Sequence, residues 1–525
     1  MKKQLIAACC CVGVLMGFSQ QTVKGTVYCD TNHNGKQDRK EAGIAKVSVT
    51  NGTQVVQTDV HGNFELAASS DMIVSVIKPS NYAFPLDTYN LPKYYYIHKP
   101  EGSSATKFQG VQPTGKLPKK LSFGLYPSEE KEDFSILVFG DPQPYNQEQL
   151  NFFEEGVVKE VAATKEAVLG ISLGDLVGND LSLFEPYKKV MTAIGIPWHN
   201  VIGNHDLNFD VAQDYLSDES YEAHFGPANN AFNYGKVHFI VLDDILYPDP
   251  RGGKHYWGGF REDQLQFIAN DLQFVPKDHL IVLAFHIPLS EPEIGNDTFR
   301  DTDRNELFQL LKDYPYTLSL SAHTHIQKQD EFDAQTGWQQ KRMHHEYNAG
   351  TTSGDWYSGK LNAEGIPEAT MRDGTPKGYS FIDFKGTTYS IRYKVAGKPA
   401  SYQMEVYAPK VVAKAKRTKS PLYVNFFMGS ANDVVTYRTD NGEWKKMKYV
   451  NEPDPSYVSQ LIHWDEAETL PKGKRGSNAI DCTHLWTGSI EANLSEGIHT
   501  IEIKAIDRFG AAHSAQTTYR IESEN

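Results

Sequence analysis

Five short stretches place oxygen and imidazole donors directly after apolar runs. They are Phe139-Gly140-Asp141-Pro142-Gln143, Leu173-Gly174-Asp175-Leu176-Val177-Gly178-Asn179-Asp180, Ile202-Gly203-Asn204-His205-Asp206, Ala284-Phe285-His286 and Ser321-Ala322-His323-Thr324-His325. Carboxylates and amide oxygens mixed with imidazoles suit Mn, Fe or Zn. A hydrolytic pair of divalent ions needs a shared carboxylate. Open α/β sheets present such groups on loops at the carboxyl ends of strands. Glycines before Asp141, Asp175 and Asn204 let the backbone turn sharply out of a strand. The five stretches are expected to form one two-metal site. A lone His286 would ordinarily be a hydrogen-bonded core histidine, but in this series it reads as a ligand.

A second donor cluster is Asp30-Thr31-Asn32-His33-Asn34-Gly35-Lys36-Gln37-Asp38-Arg39-Lys40-Glu41. It matches a twelve-residue calcium loop, with side-chain oxygens from Asp30, Asn32 and Asn34 and the Lys36 carbonyl. Asp38 would ligate directly or through water, Glu41 would be bidentate, and Gly35 permits the sharp turn. The alternative is an Asx-rich turn that binds nothing. The flanks read as strands, so this is not an EF-hand pair. It resembles instead the calcium-binding B-type repeats of bacterial surface adhesins, including the following turn and Gly62-Asn63-Phe64-Glu65-Leu66. A structural calcium ion is the expectation.

The elements that must position these groups follow from periodicity. Residues 20–127 alternate apolar and polar in short runs with Asn-Gly and Asp-Val-His-Gly turns, which predicts a β sandwich. Pro127 to Asp133 reads as a linker. From Phe134 the runs become almost continuously apolar: Phe134–Phe139, Ala167–Leu173, Trp198–Ile202, Tyr234–Leu242, Leu280–Phe285 and Tyr316–Leu320. Helical patterns intervene over Gln147–Lys165 and Arg261–Phe274. Buried strands alternating with helices predict an α/β domain over 128–397. From 398 to 525 the chain is β-rich again, with a hairpin signal at Asp440-Asn441-Gly442 and an alternating run at 497–505, so a second sandwich is expected.

The series Asp-x-Gln, Gly-Asp-x-x-x-Asn, Gly-Asn-His-Asp, His and x-His-x-His resembles the calcineurin-like metallophosphoesterase family over about 134–395. The resemblance implies a four-layer α/β/β/α sandwich, here flanked by two all-β domains. It implies that Asp175 bridges two divalent metals. Asp141, Gln143 and His325 would complete one metal site, and Asn204, His286 and His323 the other. His205 would protonate the leaving group, with Asp206 orienting it, and a metal-activated hydroxide would attack phosphorus. One departure is Gln143, which stands where the family usually carries His and offers a neutral, weaker oxygen donor. Asn179 and Asp180 are candidates to line the site, and Tyr256, Trp257, Trp356 and Tyr357 to wall it. His344-His345 reads as structural, because adjacent strand residues face opposite ways.

Whole-chain properties bound the rest. The 525 residues carry a net charge of −14 without a basic stripe, which argues against nucleic acid as a structural partner. Lys2, Lys3, the apolar Leu5–Phe18 run and Gly17-Phe18-Ser19 predict a secretory leader over 1–19. Export to a periplasmic or extracellular place follows, and a lipoprotein anchored at Cys9 ranks second because too few residues precede it. No other membrane-spanning segment is expected. Beyond the leader only Cys29 and Cys482 remain, and two free thiols are favoured over a bridge. The expected activity is hydrolysis of phosphate esters, monoesters ahead of diesters, with the β domains meeting a surface or glycan partner. The competing expectation is a surface binding protein that keeps the fold without catalysis.

Overall fold

The computed structural model describes residues 21–253, 255–289, 297–416 and 418–523, so the expected leader lies outside the described residues. Two four-stranded sheets make the N-terminal sandwich. One has the order Asn63–Ala67, Thr22–Cys29, Leu121–Pro127, Tyr82–Ala83, and the other Val55–Gln57, Ser48–Thr50, Met72–Ile77, Tyr95–His98. Val27, Val49, Phe64, Val74 and Leu125 belong to one shared apolar core, as strands buried on one face require.

The central domain is built on two larger sheets. Its strands are β1 (Asp133–Phe139), β2 (Leu169–Leu173), β3 (Trp198–Val201), β4 (Asn230–Tyr234), β5 (Val237–Val241), β6 (Leu280–Ala284), β7 (Tyr316–Ser321), β8 (Lys328–Phe332), β9 (His344–Asn348), β10 (Gly378–Lys385) and β11 (Thr388–Val395). The first sheet has the order β3-β2-β1-β10-β11 and the second β4-β5-β6-β7-β9-β8. Within them β1, β2 and β3 run parallel, as do β5, β6, β7 and β9. Successive residues face opposite layers. Ile136 and Val138 of β1 share a core with Phe239, Val282 and Leu318 of the second sheet. Leu137 and Phe139 instead pack with Leu150 and Phe153 of α1 (Gln147–Gly156). On the second sheet Ile281 and Leu283 meet Phe267 and Ile268 of α2 (Glu262–Asp271) and Leu307 of α3 (Asp301–Leu310). The layers are therefore helix, sheet, sheet, helix.

Two elements differ from expectation. The helix predicted over Gln147–Lys165 ends at Gly156, where a glycine is followed by the β-branched pair Val157-Val158. The single strand predicted over Tyr234–Leu242 is the hairpin β4–β5, turning at Gly235 with φ +54°.

The C-terminal region forms a second sandwich. A sheet ordered Met404–Tyr407, Leu422–Phe426, Asp481–Gly488, Lys448–Pro453 faces one ordered Val411–Ala413, Ala512–Glu522, Gly497–Ile506, Val434–Thr439, Lys445–Lys446. Both outer domains are keyed into the centre through buried polar contacts. Lys78 Nζ pairs with Glu130 at 2.6 Å, Lys99 Nζ with Glu219 at 2.7 Å, and Gln327 Nε2 donates to the Phe427 carbonyl at 2.7 Å. Cys29 and Cys482 are both free thiols. Among the described residues no helix is long and apolar enough to cross a membrane.

His344 is bonded into the core of β9. Its Nε2 meets Ser319 Oγ at 2.7 Å and its Nδ1 meets Thr317 Oγ1 at 2.8 Å. Burial pushes this imidazole down to about 3. An unfolded histidine titrates near 6.5, so between these values the unfolded chain binds the extra proton. The stability tied to neutral His344 is thus full above about pH 6.5 and lost as pH falls toward 3, at about 1.4 kcal/mol per pH unit. Thermal melts from about pH 8 to about pH 4 should show a shallower acid slope for His344→Gln than for wild type. Equal slopes would show that His344 does not carry this term.

Candidate metal centre

The donors converge where the carboxyl ends of the two sheets meet. Asp141 and Gln143 follow β1, Asp175 follows β2, and Asn204 and His205 follow β3. His286 follows β6, and His323 and His325 follow β7. All but the half-exposed His205 and His323 are buried. The backbone is bent to achieve this. Asp141, Gln143, Asp175, His323 and His325 have φ of +33°, +40°, +48°, +68° and +51°. Such left-handed conformations cost on the order of 1–3 kcal/mol each and persist where surroundings enforce them. Two glycines admit the close approach. A Cβ on Gly203 would lie 1.9 Å from the Asp175 nitrogen, and one on Gly174 would lie 2.4 Å from His286 Nδ1.

Two groupings of lone pairs result. His286 Nδ1 donates to the Leu173 carbonyl at 2.8 Å, which turns Nε2 inward. That Nε2 lies 3.0 Å from Asn204 Oδ1, 3.2 Å from His323 Nδ1 and 3.3 Å from Asp175 Oδ1. Ligand atoms of Asp175, His286 and His323 all fall within 4.8 Å of one another. Alongside, Asp141 Oδ1, Gln143 Oε1 and His325 Nε2 are buried without any hydrogen-bond partner. His325 Nδ1 donates to the Gly354 carbonyl at 2.6 Å, which again leaves Nε2 as the lone pair. Gln143 Nε2 donates to Asp175 Oδ2 at 2.9 Å, so the bridging position joins both groupings.

The electrostatics call for cations. Burial opposes charge on His286, yet Asp175 and Asp141 push that imidazole up to about 10, so a proton stands where positive charge is wanted. Burial and the neighbouring His286 push His323 down to about 3, and burial pushes His325 down to about 4. Both imidazoles are therefore neutral and able to ligate. Buried unpartnered polar atoms cost roughly 1–3 kcal/mol each unless something binds them. This donor set fits two divalent ions. One would be held by Asp141, Gln143 and His325, the other by Asn204, His286 and His323, with Asp175 shared.

Three family models match successive parts of the chain. "N terminal of Calcineurin-like phosphoesterase" matches residues 31–112, "Calcineurin-like phosphoesterase" 134–327 and "C terminal of Calcineurin-like phosphoesterase" 346–513. The chain belongs to the calcineurin-like phosphoesterase family. No curated protein matches the sequence. Among solved structures, a dimetal phosphatase from Danio rerio aligns at 12% identity and TM-score 0.35, covering 50% of this chain and 95% of its own. A purple acid phosphatase from yellow lupin (Lupinus luteus) seeds aligns at 12% identity and TM-score 0.35, covering 67% of each chain. The adhesin-like N-terminal region is thus the N-terminal domain of a calcineurin-like phosphoesterase.

Some residues expected at the site take other places. Asp206 does not orient His205, because its buried carboxylate accepts from the backbone of Gly203 at 2.8 Å, Leu176 at 3.0 Å and Val177 at 3.1 Å. It ties the second and third loops together, and Asn179 Oδ1 instead holds His205 Nδ1 at 2.7 Å. Asp180 caps a short helix by accepting from the Ser182 nitrogen at 3.2 Å. Tyr256 stands edge-on to His323, with ring centroids 5.9 Å apart, and Trp356 stacks on His325 at 4.2 Å. Trp257 points elsewhere, its Nε1 donating to the Asp297 carbonyl at 3.0 Å. Tyr357 is core, with its hydroxyl on the Pro142 carbonyl.

In the Asp30–Glu41 loop the side chains form an Asx network. Asp30 Oδ2 accepts from the Gly35 nitrogen at 2.8 Å, Asp38 Oδ2 from the Asn32 and Asn34 amides at 2.7 and 2.9 Å, and Glu41 Oε1 from the Thr31 nitrogen at 2.8 Å.

Two supporting groups escaped sequence reasoning. Buried Asp244 accepts the backbone N–H of His286 at 3.1 Å and of Ile287 at 3.0 Å, fixing the histidine loop. Its position after an apolar strand was the available signal. Buried Asp373 accepts the Gln327 N–H at 2.8 Å and meets His484 Nε2 of the C-terminal domain at 3.1 Å, bracing the loop that carries His325.

Gln143 sets a measurable property of the centre. Gln143→His should bind the first ion about tenfold more tightly in calorimetric zinc titrations, since imidazole is the stronger donor for that ion. Unchanged affinity would show that position 143 does not ligate.

Proposed function

We propose that this protein is an exported phosphoesterase that hydrolyses organic phosphate esters at the dinuclear centre, monoesters before diesters. The observation that carries the proposal is the convergence of seven donor residues, three of whose buried donor atoms (Asp141 Oδ1, Gln143 Oε1, His325 Nε2) lack any partner. Two bound divalent ions supply activation of a water molecule and neutralisation of phosphoryl charge. A monoester dianion gains more from that neutralisation than a diester anion, which favours monoesters. The basic, apolar and small-residue pattern of residues 1–19 supports export.

The chain's own residues supply orientation and proton handling. Asp175 Oδ1 accepts the His205 backbone N–H at 2.9 Å, so the shared carboxylate and the histidine are held in one frame. His205 gives its Nδ1–H to Asn179, leaving Nε2, 4.0 Å from Asp175 Oδ2, to take up a proton and deliver it to the departing ester oxygen. Trp356 covers His325 and keeps water from its ring face.

Asp175→Asn should lose at least about a thousandfold in kcat with manganese, because it weakens both ion positions at once. Turnover equal to wild type on a panel of mono- and diesters would sink the enzymatic reading and leave a binding protein on the same fold.

The Asp30–Glu41 loop is proposed to hold a structural calcium ion. Its support is the fully buried Asp30 and the nearly buried Glu41 facing a loop rich in side-chain oxygens. Adding calcium to chelator-treated protein should raise Tm by about 4 °C or more. No shift, together with no calorimetric binding, would refute it.

A further inference from the structure

Beside the metal loops lies a cleft of about 620 Å³ whose lining includes Asn204 and His205. One wall comes from outside the central domain. Lys107 and Phe108 belong to the N-terminal domain, between its Tyr95–His98 and Leu121–Pro127 strands. This wall is firmly seated. The Lys107 backbone N–H donates to Asp210 Oδ2 at 2.6 Å. The Phe108 carbonyl accepts from the Thr106 hydroxyl at 2.6 Å and the Ser220 hydroxyl at 3.1 Å, and its ring packs against the helix-side core of the central domain. Upstream, buried Lys99 pairs with Glu219 at 2.7 Å and Glu222 at 2.9 Å. Ser103 joins the same knot through Glu219 and accepts the Val111 N–H at 2.7 Å.

Two more aromatic rings line the same cleft. Phe209 is 41% exposed and is braced edge-on by Tyr247 at 5.3 Å. Tyr256 approaches the second metal grouping through His323. Lys107 is exposed, its ammonium 4.7 Å from the Phe108 ring centroid. Among the described residues it has no carboxylate within ion-pair distance. A cation seated on the Phe108 ring without a carboxylate in ion-pair reach, in a cleft lined by Phe108, Phe209 and Tyr256, marks a place for an anionic, flat group.

We infer that the N-terminal domain completes the substrate site. Phe108, Phe209 and Tyr256 receive an aromatic leaving group of an organic phosphate, and Lys107 meets a second negative charge carried by that group. The inference rests on the phosphoesterase reading above and names its substrate class.

The test uses the full chain with manganese and three probes: methyl phosphate, phenyl phosphate and 4-carboxyphenyl phosphate. Wild-type kcat/KM should rise in that order. Phe108→Ala should lower the phenyl-to-methyl ratio about tenfold. Lys107→Ala should lower the carboxyphenyl-to-phenyl ratio several-fold, mainly through KM. Phe108→Leu, which keeps the bulk, should fold normally and give an intermediate ratio. Ratios unchanged in the variants would overturn the inference. If wild type turns over none of the three and no member of the panel of mono- and diesters, the phosphoesterase reading fails on its own. Calorimetry then decides the subsite: phenylphosphonate must bind tighter than methylphosphonate, by a margin that Phe108→Ala removes. Equal binding, or no binding, would overturn it.

Discussion

The structure depends on one electrostatic constraint. Seven donor residues from two sheets bring their lone pairs together at one place, and all of them but His323 are buried. His286 Nε2 alone faces three oxygen or nitrogen atoms within 3.3 Å. Such an arrangement is unfavourable without positive charge, and the Asp175 and Asp141 carboxylates push the His286 imidazole well above its ordinary range against the cost of its burial. Left-handed backbone at five of the donors adds further strain. The rest of the fold has to supply the stability that this centre consumes.

It does so through the strands that carry the donors. β1, β2, β6 and β7 are buried along nearly their whole length, so each packs against the other sheet on one face and against helices on the other. Each strand then ends at a polar residue at the same edge of the domain. The rigidity of two packed sheets lets strained loops keep one conformation, and Gly174 and Gly203 allow those loops to touch.

The outer domains take part in the same economy. Lys78–Glu130 and Lys99–Glu219 are buried ion pairs joining the N-terminal sandwich to the centre, and losing one partner of such a pair costs roughly 3–5 kcal/mol. The C-terminal sandwich reaches the His325 loop through Gln327, Asp373 and His484. Metal loop and β domains are therefore mechanically continuous, and the N-terminal segment at Lys107 and Phe108 also shapes the cleft itself.

Much of the centre was legible in the chain, because its ligands are short-range signals: a polar donor following an apolar run, with a glycine where the backbone must turn. The buried strands, the α/β class and the polar donors after each strand follow from residue type and spacing, whereas the four-layer order and the division of donors between two metals came with the family resemblance. What spacing cannot express is which neighbour a side chain meets across the fold. Asp206 sits next to His205 in sequence, yet three backbone N–H groups capture its carboxylate, and Asn179 from another loop holds the histidine. Asp180, beside Asn179, caps a helix instead. Asp244, His484, Lys107 and Phe108 gain their roles only through contacts distant along the chain. The sequence by itself determined the chemical identity of the donors and the strands that end in them, because both are local. Only the tertiary structure decided how they are oriented and what walls the cleft, because those contacts join loops and domains far apart in sequence.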